Sequence, residues 1–342
     1  MPVTRSRSPL KSGQRVIPGA GAADKGISIG MISNPLSGGN KQGIGRIRTY
    51  LANHLHIRAA EATTPGELHA VLDDFSARGV DLLIINGGDG TVQAVLTALL
   101  GQPGATPLPL LALLRAGTTS MLARDVGARG EPLVALKKIH AWSMDRERDP
   151  RHIHERPVLR VIQEDNGESP CGMFFGAGAI PRGIDIFHSS MNPQGIRGEL
   201  MPGLTSLRLL LAALFGNVKL LPPTDMAIRL DKTPTQGTSY LFAMVSTLER
   251  LFLGLHPFWG KETAPLHFTA LKWKAPRFLR NLPFLLRGVP TATATEENGY
   301  FSNNAARITL DFRGPFTLDG EIFQARSPLT IEPVGPVRFL RI

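Results

Sequence analysis

Residues 80 to 88 read VDLLIINGG. Leu82 to Ile85 are apolar without alternation, so both faces of this run need cover. That pattern suits a strand in a parallel sheet flanked by helices rather than a half-solvated antiparallel strand. Residues 91 to 101, TVQAVLTALLG, have helical apolar spacing and stop at Gly101. A chain with such a strand–glycine–helix unit must supply parallel partners for the strand. ISIGMISNP reads as a short apolar strand entering a turn, and GIGRIRTYLANHL carries Ile44, Ile47, Leu51 and Leu55 at helical spacing. Arg58 to Ala62 is a candidate second strand. TTPGELHAVLDDFSARG opens a helix, with Thr64 as N-cap, Pro65 at the first helical position and Glu67 three residues after the cap. PLPLLALLRAG and TTSMLARDVG add a strand and a helix. The alternation predicts a doubly wound α/β domain over residues 26–150.

Past Arg151 the texture changes. VLRVIQ, MFFGAGA, MAIRL, YLFAMVST, LHFTALKW, ARITLDF and FTLDGEIF are short strand-like runs separated by turn residues. They predict an antiparallel β-sandwich domain over residues 151–325. A last strand segment, 326–342, is expected to pack back on the N-terminal domain. RERDPRHIHERP, charged and bounded by Pro157, reads as a hinge, and LTSLRLLLAALFG as a helical insertion. Residues 1–25 are basic and rich in Gly, Ser and Pro, and read as a disordered arm without a signal-peptide core.

Bulk properties narrow the partners. The 342 residues carry a formal net charge of +10, which favours an anionic partner: nucleic acid, nucleotide phosphate or an acidic membrane face. The single cysteine, Cys171, excludes an internal disulfide framework and fits a reducing cytosol. No apolar run reaches the roughly 18–20 residues that span a bilayer.

The residues after the buried strand are Gly87-Gly88-Asp89-Gly90-Thr91. In doubly wound sheets ligands sit at the carboxyl ends of the strands, where this loop lies. Glycines let backbone amides approach a ligand, and amides opening the next helix suit phosphate oxygens. Asp89 adds a carboxylate that can hold Mg²⁺ or accept a proton, and Thr91 adds a hydroxyl. Taken alone, the loop is also compatible with a tight turn and an aspartate cap.

The loop is not alone, and the set resembles lipid kinases with a diacylglycerol-kinase-type catalytic domain, among them bacterial diacylglycerol kinases and sphingosine kinases. The family's NPxSG is matched by Asn34-Pro35-Leu36-Ser37-Gly38, its GGDGT by residues 87–91, its threonine before the second helix by Thr64, its later GT pair by Gly117-Thr118, and its DGE by Asp319-Gly320-Glu321. The resemblance implies an N-terminal domain like that of NAD kinase followed by a β-sandwich with the lipid site, ATP lying between them. It implies that Asn34, Ser37, Gly38, Thr64, Gly87, Gly88, Asp89, Gly90, Thr91, Gly117 and Thr118 bind ATP. Glu321 would take the proton from the lipid hydroxyl, and Asp89 would hold Mg²⁺ or position the phosphate. Lys41, Arg46 and Arg182 are candidate counter-charges. Two departures stand out: Gln93-Ala94 replace the usual Asn-Glu, and Ser120-Met121 replace the usual Asn-Asp. In the β domain Thr263 falls where many members carry a metal-binding aspartate, with Glu262 beside it.

The expected activity is ATP- and Mg²⁺-dependent transfer of the γ-phosphate to a lipid hydroxyl, diacylglycerol first, giving phosphatidate. A sphingoid-base kinase is the alternative acceptor reading, with Asp185 as partner for an amine. A catalytically weak lipid-binding protein of the same fold is the alternative from another class. LKWKAPRFLRNLPFLLRG interleaves cations and aromatics, as a segment lying on anionic lipid would. The expected partner is therefore a lipid at an anionic membrane, met peripherally from the cytoplasmic side. No nucleic acid is expected, and a homodimer is left open.

Overall fold

The computed structural model describes residues 26–101, 108–127, 129–163, 169–190, 223–234, 237–326 and 328–342. The basic arm and the LTSLRLLLAALFG segment lie outside the described residues. Four strands open the chain: β1 (Ile29–Ser33), β2 (Ile57–Glu61), β3 (Leu82–Gly87) and β4 (Leu110–Arg115). They pair in parallel in the order β2-β1-β3-β4. Helices α1 (Asn40–Ala52), α2 (Pro65–Ala77), α3 (Asp89–Leu100), α4 (Met121–Val126) and α5 (Pro132–Met144) cover the two faces.

The apolar runs explain the layering. Leu83, Ile85, Leu111 and Leu113 face one way and pack with Leu72 and Phe75 of α2, Val92 and Val95 of α3, and Leu122 of α4. Leu82, Ile84, Leu110 and Ala112 face the other way and meet Ile47 of α1 and Leu136 and Ile139 of α5. Each fully buried Leu or Ile contributes about 1.5–3 kcal/mol, so neither helical layer can be removed without unfolding the sheet.

The second half comprises β5 (Ile153–Gln163), β6 (Cys171–Gly172), β7 (Phe174–Gly178), α6 (Ala179–Ser190), β8 (Thr224–Leu230), β9 (Thr233–Pro234), β10 (Thr238–Ser246), β11 (Leu266–Lys272), α7 (Phe278–Leu285), β12 (Tyr300–Ala305), β13 (Ile308–Asp311), β14 (Gly314–Leu318), β15 (Glu321–Ala325) and β16 (Leu329–Leu340). Its strand pairs are antiparallel. Leu159, Val161, Ile228, Ile308 and Ile331 pack against Phe175, Val245, Phe268, Phe316 and Leu318 to form its core. The fold is thus a doubly wound α/β unit followed by an antiparallel β-rich domain, in one mixed sheet. β16 joins the halves: it runs antiparallel to β5 and lies parallel to β4 at Phe339–Leu111.

The stretch expected to be a hinge is ordered into the sheet. Asp149 caps a short 3₁₀ turn, and Ile153 already pairs with Leu340. The pairing partner lies almost 190 positions downstream, so local composition could not show it. Where Pro157 lacks an amide, the register shifts between Val334 and Val337, next to Gly335-Pro336.

Candidate functional site

Three loops meet at the carboxyl edge of the parallel strands. The first follows β1. Asn34 Oδ1 accepts from Leu36 N at 2.9 Å, closing a tight turn, while Asn34 Nδ2 donates to Thr91 Oγ1 at 3.1 Å. Buried Asn40 donates to the carbonyls of Asn34 and Asn86 at 2.8 and 3.0 Å. The second loop follows β3, and Gly88 N donates to Ser37 Oγ at 3.1 Å. The third follows β4: Gly39 N donates to Ala116 O at 2.8 Å, and Thr118 packs against Gly38. Gly88 and Gly117 touch through their backbones, so a side chain on Gly117 would collide with Gly88. Asn34, Ser37, Gly38, Gly87, Gly88, Thr91, Gly117 and Thr118 therefore form one hydrogen-bonded and packed floor. Thr64 stands apart from these bonds. It caps α2 in a capping box with Glu67, with Glu67 N at 3.3 Å from Thr64 Oγ1.

Asp89 is turned toward α4. Its Oδ2 accepts from Thr119 Oγ1 at 2.7 Å and Met121 N at 2.9 Å, and its Oδ1 accepts from Leu122 N at 3.0 Å. It supplies the helix cap that Ser120 cannot, because Ser120 is left-handed (φ 46°) and its hydroxyl bonds to Gly117. Burial pushes the Asp89 carboxyl upward, and the three donors pull against that. The sequence reading passed over Thr119, which carries one of these bonds.

The DGE motif is a two-residue hairpin turn joining β14 and β15, with Leu318 opposite Glu321. Asp319 (φ 51°) and Gly320 (φ 95°) both have positive φ, as a type I′ turn requires. Asp319 is also an anchor. It is buried and accepts from Met173 N and Phe174 N, the latter at 2.8 Å. Burial raises its carboxyl well above the usual range, and the nearby Asp89 charge adds to the rise. Glu321 is exposed, and its side chain lies on Gly90, where any Cβ would strike the carboxylate. The GGDGT and DGE motifs, over two hundred residues apart in the chain, meet here.

A second tie fixes their spacing. Gln93 Nε2 donates to Thr97 Oγ1 at 2.9 Å. The same hydroxyl accepts from Cys171 N at 2.9 Å and lies 3.2 Å from Cys171 O. So α3, which carries GGDGT at its start, is bonded to β6 beside the amides that hold Asp319. Gln93, a departure from the family pattern, is part of this tie.

The candidate counter-charges divide. Lys41 opens α1 directly after the first loop and is exposed, whereas Arg46 is 3.6 Å from Glu131 on the surface. Arg182 lines a separate cavity of about 410 Å³ in the β region with Thr224, Asp225 and Arg313. The Asp185 side chain lies outside the described residues. Glu262 accepts from Asn304 N at 2.8 Å and Asn303 Nδ2 at 3.1 Å, which makes it a brace for β12. Among the described residues no three His, Cys, Asp or Glu side chains are grouped to hold a metal. The site itself offers Mg²⁺ the remaining acceptor capacity of Asp89 and the free Glu321, which fits an ion held chiefly by nucleotide phosphates.

Residues 28–146 match the model of the diacylglycerol kinase catalytic domain. No curated protein matches the chain. A diacylglycerol kinase structure from Bacillus anthracis str. Sterne aligns at 18% identity and TM-score 0.61, covering 93% of this chain and 97% of the other. A candidate diacylglycerol kinase from the same organism aligns at 19% identity and TM-score 0.64, covering 93% and 98%. At these identities the likeness is one of fold.

Proposed function

We propose, from the match of residues 28–146 to the diacylglycerol kinase catalytic domain model, that the chain is an ATP-dependent lipid kinase with diacylglycerol as acceptor. The observation that carries the reading is Glu321 lying on Gly90, which puts a free carboxylate from the β domain against the nucleotide-type loop. The three-loop floor, with amides and hydroxyls from 34–40, 87–91 and 116–120, holds and orients the triphosphate. Phosphoryl transfer asks for positioning and charge neutralisation more than covalent help. The acceptor hydroxyl oxygen attacks the γ-phosphorus, the bond to the β,γ-bridging oxygen breaks, ADP leaves, and the hydroxyl proton passes to Glu321. Asp89 keeps α4 and the Gly117-Thr118 turn in place beneath the phosphates. Mg²⁺ bound with the nucleotide would neutralise the phosphate charge.

The test is transfer from labelled ATP to a panel of diacylglycerol, monoacylglycerol, sphingosine, ceramide and NAD. The reading expects the diacylglycerol product to dominate. Label appearing chiefly on sphingosine moves the acceptor assignment to a sphingoid base. Label on NAD alone removes the lipid assignment.

A further inference from the structure

Helix α7 covers a small core with Leu285 and Phe278, yet it also buries Asn281 and turns Leu279, Arg280, Pro283 and Phe284 outward. Asn281 is held in place, its Oδ1 accepting from Thr291 Oγ1 at 2.8 Å and Thr293 Oγ1 at 3.0 Å. The outward side chains are well exposed: Leu279 at 61% and Phe284 at 48%. A second segment is bonded to the end of α7. His256 N donates to Leu286 O at 3.0 Å, and Gly288 packs against His256 and the Phe258 carbonyl. Just before it, a tight turn presents Leu253, 49% exposed and held at a left-handed φ of 58°. Val289, 54% exposed, follows α7. Four of the nine large apolar side chains exposed among the described residues thus fall between 253 and 289.

The charge around α7 has one sign. From Ala264 to Thr295 the chain carries five cations and no carboxylate. Lys272 stands over the Phe301 ring at 5.4 Å, while Lys274, Arg277, Arg280 and Arg287 are exposed. Lys274 and Arg277 both adopt left-handed backbone, at φ 58° and 56°. An apolar wedge ringed by cations fits a lipid interface: the wedge enters the acyl boundary and the ring meets headgroup phosphates. A nucleic acid would use the cations but leave the leucines unserved.

We infer that the outward face of α7, together with the Leu253 turn, docks on an anionic phospholipid bilayer. The docking rests on the lipid-kinase reading only for its purpose, which is to bring the cleft to a substrate held in the membrane. The experiment uses the full chain without nucleotide, sedimented with phosphatidylcholine vesicles that do or do not contain phosphatidylglycerol. Two variants are compared with the parent: L279E/F284E, and K274Q/R277Q/R280Q/R287Q. The parent should bind the anionic vesicles and be released by salt. The four-charge variant should lose about 10²-fold or more in partitioning, given ~1 kcal/mol per basic residue at such a surface. L279E/F284E should lose at least about 10-fold, while both variants keep the parent's transfer to a dispersed short-chain diacylglycerol. Equal sedimentation of parent and variants overturns the proposal, as does parent binding that ignores phosphatidylglycerol. A lower urea midpoint in L279E/F284E overturns it too, because the face would then be covered by the chain itself. So does duplex DNA binding that depends on the four cations while vesicle binding does not. Variant-sensitive vesicle binding by a parent that phosphorylates no lipid upholds the docking face and removes the kinase reading instead.

Discussion

A side chain on Gly90 would take the place that the Glu321 carboxylate now occupies. A methyl group there must displace either the carboxylate or the hairpin that carries it. Gly90→Ala should therefore keep the fold at little cost, because the carboxylate is the tip of an exposed, flexible side chain, but lower transfer at least about 10-fold with nucleotide affinity retained. Activity equal to the parent would mean that the Glu321 position is incidental. Asp319 offers a second residue-scale check, in pH. Its folded carboxyl is raised, chiefly by burial. Such a group favours folding below its ordinary range, about 4, and that contribution is lost as pH rises through the raised folded value. Asn at 319 removes the dependence. The difference in unfolding free energy between parent and Asp319→Asn should shrink as pH rises from about 4 to mildly alkaline. A gap that stays flat or widens contradicts the burial argument.

At the scale of elements, the site depends on how α3 meets β6. Thr97→Val keeps shape but leaves Gln93 Nε2 and Cys171 N without their partner. The cost should be about 1–3 kcal/mol, read by urea unfolding. Transfer should fall with it, since α3 carries the loop and β6 adjoins the amides that hold Asp319. A stability loss with unchanged transfer would show that the tie does not set the cleft. The same scale shows what the sequence could reveal. The unalternating run Leu82–Ile85 and the helix closed by Gly101 carried the parallel sheet, and Thr64 with Glu67 announced the capping box, because each is a local pattern with a local cause. The order of β5 with β16 was invisible, because Ile153 and Leu340 recognise each other only in the folded chain. Asp89 illustrates the limit within the site. Its presence in the loop was legible, whereas its three bonds to the start of α4 depend on how the β4 turn comes round. The cations and aromatics of the α7 segment were legible as a membrane candidate, whereas its helix was not, since its buried Asn281 runs against the apolar pattern that sequence reading follows.

At the scale of the molecule, two halves meet along one mixed sheet, and the candidate chemistry lies where their turns touch. The nucleotide floor belongs to the first half and Glu321 to the second, so the account stands on both acting at one phosphate. If the DGE segment were only a hairpin turn with a buried anchor, its third residue would be dispensable. Glu321→Gln is the measurement that separates these cases. It keeps the size of the side chain and leaves Asp319 untouched. Two quantities are needed from the full chain: ATP affinity by calorimetry and single-turnover transfer of the γ-phosphate to diacylglycerol. The account predicts ATP affinity close to the parent's and a chemical step slower by roughly 10²–10⁴-fold. Transfer at the parental rate, or loss of ATP binding along with transfer, would contradict it.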